Sequence, residues 1–313
     1  MKLHLDRIAF EQIIDIIASQ SGVRRDVLEK DYYVTLLLEE LSELPNQGYA
    51  YFKGGTALYK ALRSIRRFSE DIDLTVYIED CPSANQARKR LEKATLQFQS
   101  MPKGNTIKNE RGSIVCEYLY ESMFEFDKDD ALQRFGRVIV ESTSFTVSEP
   151  TTTIQIAPFL YELCDDDQRR ILTDSYDVAP FSIETISLER IFIDKVFATE
   201  FYYERGEFTD VAKHVYDITV LLREEQITSF LADKPKVQTI IGLKRKEELN
   251  RRGGVDADLE VADFSYFNGL KGSKEFRTKF ADMQKVYVLN RNDLLTVEEA
   301  LSAIEALHRY IDC

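Results

Sequence analysis

The sequence predicts an α/β chain of the α+β kind, in which a mixed sheet flanked by helices is followed by a mainly helical half. Three observations lead there. Runs rich in β-branched and aromatic residues at 48–53, 71–78, 113–126, 137–147 and 152–159 read as strands and are interspersed with helical periodicity. Beyond Pro180 the apolar spacing is mainly helical, at 187–204, 209–224, 226–232, 235–250 and 296–311. The length of 313 residues, at about 150 per domain, fits two domains, drawn here at 1–180 and 181–313.

Each element has its own signal. Ile8, Phe10, Ile13, Ile14 and Ile17 place a helix at 5–20, and Val27, Tyr32, Val34, Leu37 and Leu38 one at 24–44. The first strand ends at Gly54-Gly55, where a helix from Thr56 to Ser64 begins. A strand follows from Asp71 to Ile78, then a helix with a mixed charged face from Ser83 to Gln99. Asp165-Asp166-Asp167 and Pro180 punctuate the chain, and Arg-Arg-Gly-Gly at 251–254 marks a loop.

Composition narrows the function by exclusion. Apolar residues make up 44%, enough for a core, and no stretch reaches the roughly 18 apolar residues of a membrane span. The first residues carry acids and lack the parts of a signal peptide, so a cytoplasmic protein with no membrane contact is expected. Cys81, Cys116, Cys164 and Cys313 form no C-x-x-C pair, and His4, His214 and His308 are scattered. A metal would therefore be held by oxygen, which favours Mg2+ or Mn2+ over zinc. The net charge of −13 argues against non-specific coating of nucleic acid but leaves room for a local basic groove. Lys234 to Arg252 holds seven Lys or Arg against two Glu, and Arg63, Arg66, Arg67, Arg88, Lys89 and Arg90 flank the acids described next. Singly, each such cluster reads as a solvated helix face; their recurrence there raises the functional reading.

The chemistry concentrates between Lys53 and Tyr77, KGGTALYKALRSIRRFSEDIDLTVY. Side chains alternate along a strand, so Ser69, Asp71 and Asp73 share one face while Ile72, Leu74 and Val76 share the other. Two carboxylates at about 4 Å repel by roughly 4 kcal/mol at an effective dielectric of 20, so converging them calls for a cation. Asp-x-Asp alone more often marks an exposed acidic edge. Its context is the Gly54-Gly55 turn one short helix upstream, where backbone N–H groups and a helix N-terminus favour phosphate. Together they read as a phosphate-and-metal site.

Lys-Gly-Gly-Thr-Ala-Leu, a short helix, then Arg-Phe-Ser-Glu-Asp-Ile-Asp-Leu resembles the AbiEii/AbiGii-type toxin family, a MenT-related branch of the DNA polymerase β-like nucleotidyltransferases. Glu29-Lys30-Asp31-Tyr32-Tyr33, Asp194-Lys195 and Lys213-His214-Val215-Tyr216-Asp217 resemble further family stretches. The resemblance implies a nucleotidyltransferase fold with a C-terminal helical domain that contributes Lys195 and Asp217 to the site. It implies a Mg2+-dependent enzyme that transfers NMP from an NTP to an acceptor. In the MenT group that acceptor is RNA, the 3′ end of tRNA. It also implies a toxin of a toxin–antitoxin or abortive phage infection system, with an antitoxin partner. Carried onto this sequence, Asp71 and Asp73 hold metal, Gly54, Gly55, Ser69 and Lys195 bind nucleotide, and Asp217 is the distal acid.

Beside the resemblance stand plainer readings. Asp217 lies in an otherwise apolar helix and needs a partner, from Lys195, His214 or Lys213; a structural ion pair is as good a reading as a catalytic one. His214 reads as a packed helix residue and Asp210 as a helix N-terminal acid. Polymerase β-like enzymes carry a third carboxylate on a later strand, yet the best candidate strand, Thr153 to Ala157, has none. Glu141, Glu149, Glu162 or Asp217 supplies it, or the site lacks it. The alternatives to RNA nucleotidylation are transfer to a protein, or an NTP-binding module or scaffold without transfer.

Overall fold

The structure, a computed structural model, describes residues 1–43, 48–63, 66–124, 135–251 and 253–312. They divide into two compact units, one of residues 1–144 and 151–185, the other of 145–150 and 186–313. In chain order the first comprises α1 (Arg7–Ser21), α2 (Arg25–Ser42), β1 (Ala50–Lys53), α3 (Gly54–Ala61), β2 (Ile72–Val76), α4 (Ala84–Leu96), β3 (Lys103–Glu110), β4 (Ser113–Leu119), β5 (Arg137–Thr143), β6 (Thr151–Ile156), α5 (Phe159–Glu162), α6 (Asp166–Tyr176) and β7 (Phe181–Ile186). The second is helical, with α7 (Leu188–Tyr203), α8 (Phe208–Leu221), α9 (Glu225–Ala232), α10 (Lys234–Asn250), α11 (Ser265–Gly269), α12 (Lys274–Tyr287) and α13 (Val297–Asp312). The chain thus has the expected mixed α/β architecture. Element ends expected at Leu44, Ser64 and Phe126 lie outside the described residues.

The seven strands form one mixed sheet in the order β3-β4-β5-β2-β1-β7-β6. β2 runs antiparallel to β1 and parallel to β5. Cross-strand partners share a face, so the register sorts residues into two surfaces. One is core: Phe52, Leu74 and Ile114 lie along one row, with Ile72, Val140 and Cys116 in the next, all at 1% exposure or less. The other is polar and half-buried, and its central row reads Lys53, Asp73, Glu141, Val115.

Three elements carry little of the apolar periodicity that marks the others. β3 is Lys-Gly-Asn-Thr-Ile-Lys-Asn-Glu, with Ile107 largely exposed; pairing with β4 makes it a strand. α6 buries Leu172 alone, and its start at the Asp165 punctuation is a capping box in which Asp165 and Gln168 satisfy each other's backbone N–H. α12 is polar on one side and anchors through Phe276, Phe280 and Met283. Among the described residues, no helix is long and apolar enough to cross a membrane.

Candidate active site

The geometry begins at the Gly54-Gly55 turn. Gly54 has φ +81°, a conformation side-chain-bearing residues avoid, and a β-carbon there would lie 2.1 Å from Asp73 Oδ2. The space left by the missing side chain is therefore filled by the Asp73 carboxylate, which rests at the N-terminus of α3, where a negative charge is favoured. Gly55 does the same for Ser69, whose Oγ would be 2.7 Å from an added β-carbon. The two glycines thus admit acidic and hydroxyl side chains of this chain as well as leaving backbone N–H groups at a helix start. Thr56 fastens the arrangement: its hydroxyl lies 2.7 Å from the Asp71 carbonyl and 3.1 Å from Ser69 Oγ. Ser69, Asp71 and Asp73 are all half-buried, while Ile72, Leu74 and Val76 are fully buried behind them.

Strand pairing sorts the candidates for a third acid. Glu141 on β5 is the cross-strand partner of Asp73, on the same polar face. The strand ending before Ala157, the best candidate in the sequence for a third acid though it carries none, is β6, at the sheet edge with β1 and β7 between it and β2. Ala157 instead offers its carbonyl to Lys60. Glu149 falls in the segment grouped with the helical unit, and Glu162 ends α5. On the other side of Asp73, Lys53 is its partner on β1 and reaches Thr143 Oγ1 at 3.3 Å. A cation, Asp73 and a second carboxylate thus stand side by side on three adjacent strands. Among the described residues, no three acids, histidines or cysteines close around a single point. The oxygen donors of Asp71, Asp73 and Glu141 nonetheless suit Mg2+, which takes one or two carboxylates and draws its remaining ligands from phosphate and water.

The first unit also buries charges that the sequence reading named only within a stretch resembling the family. α2 is buried almost all round, and Glu29, Lys30 and Asp31 lie in its interior at 0, 1 and 4% exposure. Asp31 pairs with Lys60 of α3 at 2.7 Å and accepts the Phe159 N–H at 2.6 Å. Burial pushes the Asp31 carboxyl up and the Lys60 amine down, each opposed by the other's charge. Glu29 accepts from Ser122 and from the Met123 N–H, and burial raises its carboxyl. Their signal in the sequence was three consecutive charges flanked by Val27, Leu28, Tyr32 and Tyr33 within one helix.

In the helical unit, Lys195 Nζ meets Asp217 Oδ2 at 2.9 Å, and both are buried, so Lys195 is a partner of Asp217. His214 stacks on Tyr202, and Lys213 pairs with Asp210 at 3.0 Å. Several residues of the basic run from Lys234 are paired within the unit, while Lys236 and Lys246 are exposed. Lys244 binds Glu247 and Glu248, Arg245 binds Glu260, Lys236 binds Glu189, and Arg251 stacks on Phe201. α10 supplies acids three and four residues from Lys244, and α7 supplies Glu189 to Lys236. Arg252 lies outside the described residues. Near the acids, Arg67 is buried against Tyr59, and Arg90 is bound to Asp80.

Residues 36–303 match the family described as nucleotidyl transferase AbiEii toxin, type IV TA system. The chain belongs to this family. The AbiEii assignment covers most of the sequence and makes the protein a nucleotidyltransferase, with an NTP substrate and an antitoxin partner implied by the family. No curated protein matches it significantly. Among solved structures, a crystal structure from H. pylori assigned as a nucleotidyltransferase is similar at 12% identity and a TM-score of 0.44, over 92% of this chain and 96% of that one. MenT4, a nucleotidyltransferase toxin from Mycobacterium tuberculosis H37Rv, is similar at 15% identity and a TM-score of 0.46, over 94% and 98%. The assignment rests on the AbiEii match.

Proposed function

We propose that this AbiEii toxin transfers NMP from an NTP to RNA, the 3′ end of tRNA, with Asp71, Asp73 and Glu141 holding Mg2+ or Mn2+. The observation that carries the reading is the register that sets Glu141 beside Asp73, on the face that begins at the Gly54-Gly55 turn. Bound there, the divalent ion supplies neutralisation of phosphate charge and activation of the attacking hydroxyl. The chain's own groups do the rest. The start of α3 favours the phosphates electrostatically, Ser69 lies beside it at Gly55, and Lys53 places a positive charge in the same row as the acids. RNA as acceptor follows from the MenT resemblance of the motifs.

Within the helical unit, Lys195 and Asp217 are proposed to act in transfer in addition to neutralising one another. The reading is tested by incubating purified protein with Mg2+, each labelled NTP and total cellular RNA, and resolving products on RNA and protein gels. Labelled RNA that disappears with Asp71→Ala supports it. Label on protein instead moves the acceptor to a protein, and no label with any of the four NTPs overturns the reading.

A further inference from the structure

Consecutive helical residues point about 100° apart, so three in a row fan across roughly 200°. Glu29, Lys30 and Asp31 use that fan to reach three different segments. Glu29 takes the chain leaving β4 at Ser122 and Met123, and Asp31 takes the end of α3 at Lys60. Lys30 takes two segments at once. Its ammonium donates to the carbonyl of Arg137, where β5 begins, and lies 3.8 Å from the carboxylate of Glu70. Glu70 immediately precedes Asp71, and Arg137 lies four residues before Glu141 on the same strand face. One buried amine therefore meets both stretches of chain that deliver the site's acids, through a backbone carbonyl in one and a side-chain carboxylate in the other. A buried ion pair stabilises a fold weakly, and its best-attested use is to fix one arrangement among several.

We propose that Lys30 is a positioning residue for nucleotidyl transfer, setting the separation between Asp71 and Glu141 by clamping Glu70 to the start of β5. This rests on the reading that those acids hold the divalent ion. Lys30→Met alone removes one charge of the buried pair and keeps the other, so the test is the double variant Lys30→Met with Glu70→Gln, in which both charges go together. Mn2+ alone is titrated by electron paramagnetic resonance, each NTP with Mg2+ by calorimetry, and folding is followed by thermal unfolding and near-ultraviolet circular dichroism. The expected result is a native spectrum and near-native melting, Mn2+ binding weakened roughly 10–100-fold, and transfer lowered to match. Mn2+ binding and transfer like the wild type in a folded double variant overturn the proposal. Loss of the native spectrum does so too, since the contact then serves folding and not placement. A wild type that binds Mn2+ and NTP but transfers nothing sinks the functional reading, while the Mn2+ comparison still decides the role of Lys30.

Discussion

Single atoms decide much of this site. An alanine methyl at position 54 would lie on the Asp73 carboxylate and demand a left-handed backbone from a residue with a side chain. Gly54→Ala is expected to cost about 1–2 kcal/mol in backbone strain and, by pushing Asp73 aside, roughly 100-fold in transfer rate. Kinetics and urea unfolding of the purified variant check both numbers; an active Gly54→Ala enzyme would mean that Asp73 has no fixed place. Asp217→Ala leaves Lys195 buried without its counter-charge, and a destabilisation of about 3–5 kcal/mol is expected. Lys195→Met with Asp217→Leu should recover most of that loss. If transfer returns along with stability, the pair is structural; if stability returns alone, it takes part in the reaction. At this scale the sequence was informative where chemistry is local. Asp71, Asp73, Gly54 and Gly55 are separated by one short helix, and two-residue alternation placed the acids opposite Ile72 and Leu74. Glu141 lies sixty-eight positions from Asp73 and remained one of four candidates, because alternation tells which face a residue takes and not which strand lies alongside.

At the scale of elements, α2 has the most consequences. Its apolar spacing is plain in the sequence, but the spacing of a one-sided helix and that of a helix buried all round differ little, so the family-like stretch at 29–31 did not reveal that its charges are buried. Tertiary contacts turn them inward. Lys60→Met is expected to destabilise the protein by about 3–5 kcal/mol by leaving Asp31 alone in the core, and Asp31→Asn with Lys60→Met to cost clearly less. Equal unfolding midpoints for the two variants would show that Asp31 finds water or another partner. The β3 strand and α6 escaped the sequence reading for a common reason, since neither buries an apolar face of its own. β3 is held by the hydrogen bonds of β4, and α6 starts from a capping box worth about 1 kcal/mol. The strand that ends before Ala157 was read correctly as a strand, and its place at the sheet edge is set by pairing partners far away in the chain.

The whole molecule is acidic, and among the described residues Lys244 and Arg245 of α10 are bound to acids of the same unit. This sets its response to pH. Burial alone would lower the Lys244 amine, but Asp194, Glu247 and Glu248 outweigh it and hold it above its ordinary 10.5. Burial likewise raises the phenols of Tyr32, Tyr33, Tyr118 and Tyr120 above their ordinary 10.0. For both kinds of group the folded state keeps a proton that the unfolded chain gives up, so their stabilisation is complete below pH 10 and lost above it. Urea midpoints should be level from neutrality to about pH 9.5 and fall beyond pH 10; a level midpoint through pH 11 would contradict the burial of these groups. The most direct test of the account lies with Glu141, the residue that strand order singles out. Transfer of label from an NTP to RNA should fall roughly 100-fold or more in Glu141→Gln, as in Asp71→Ala, with melting unchanged. Wild-type labelling by Glu141→Gln, with Asp71→Ala inactive, would contradict it.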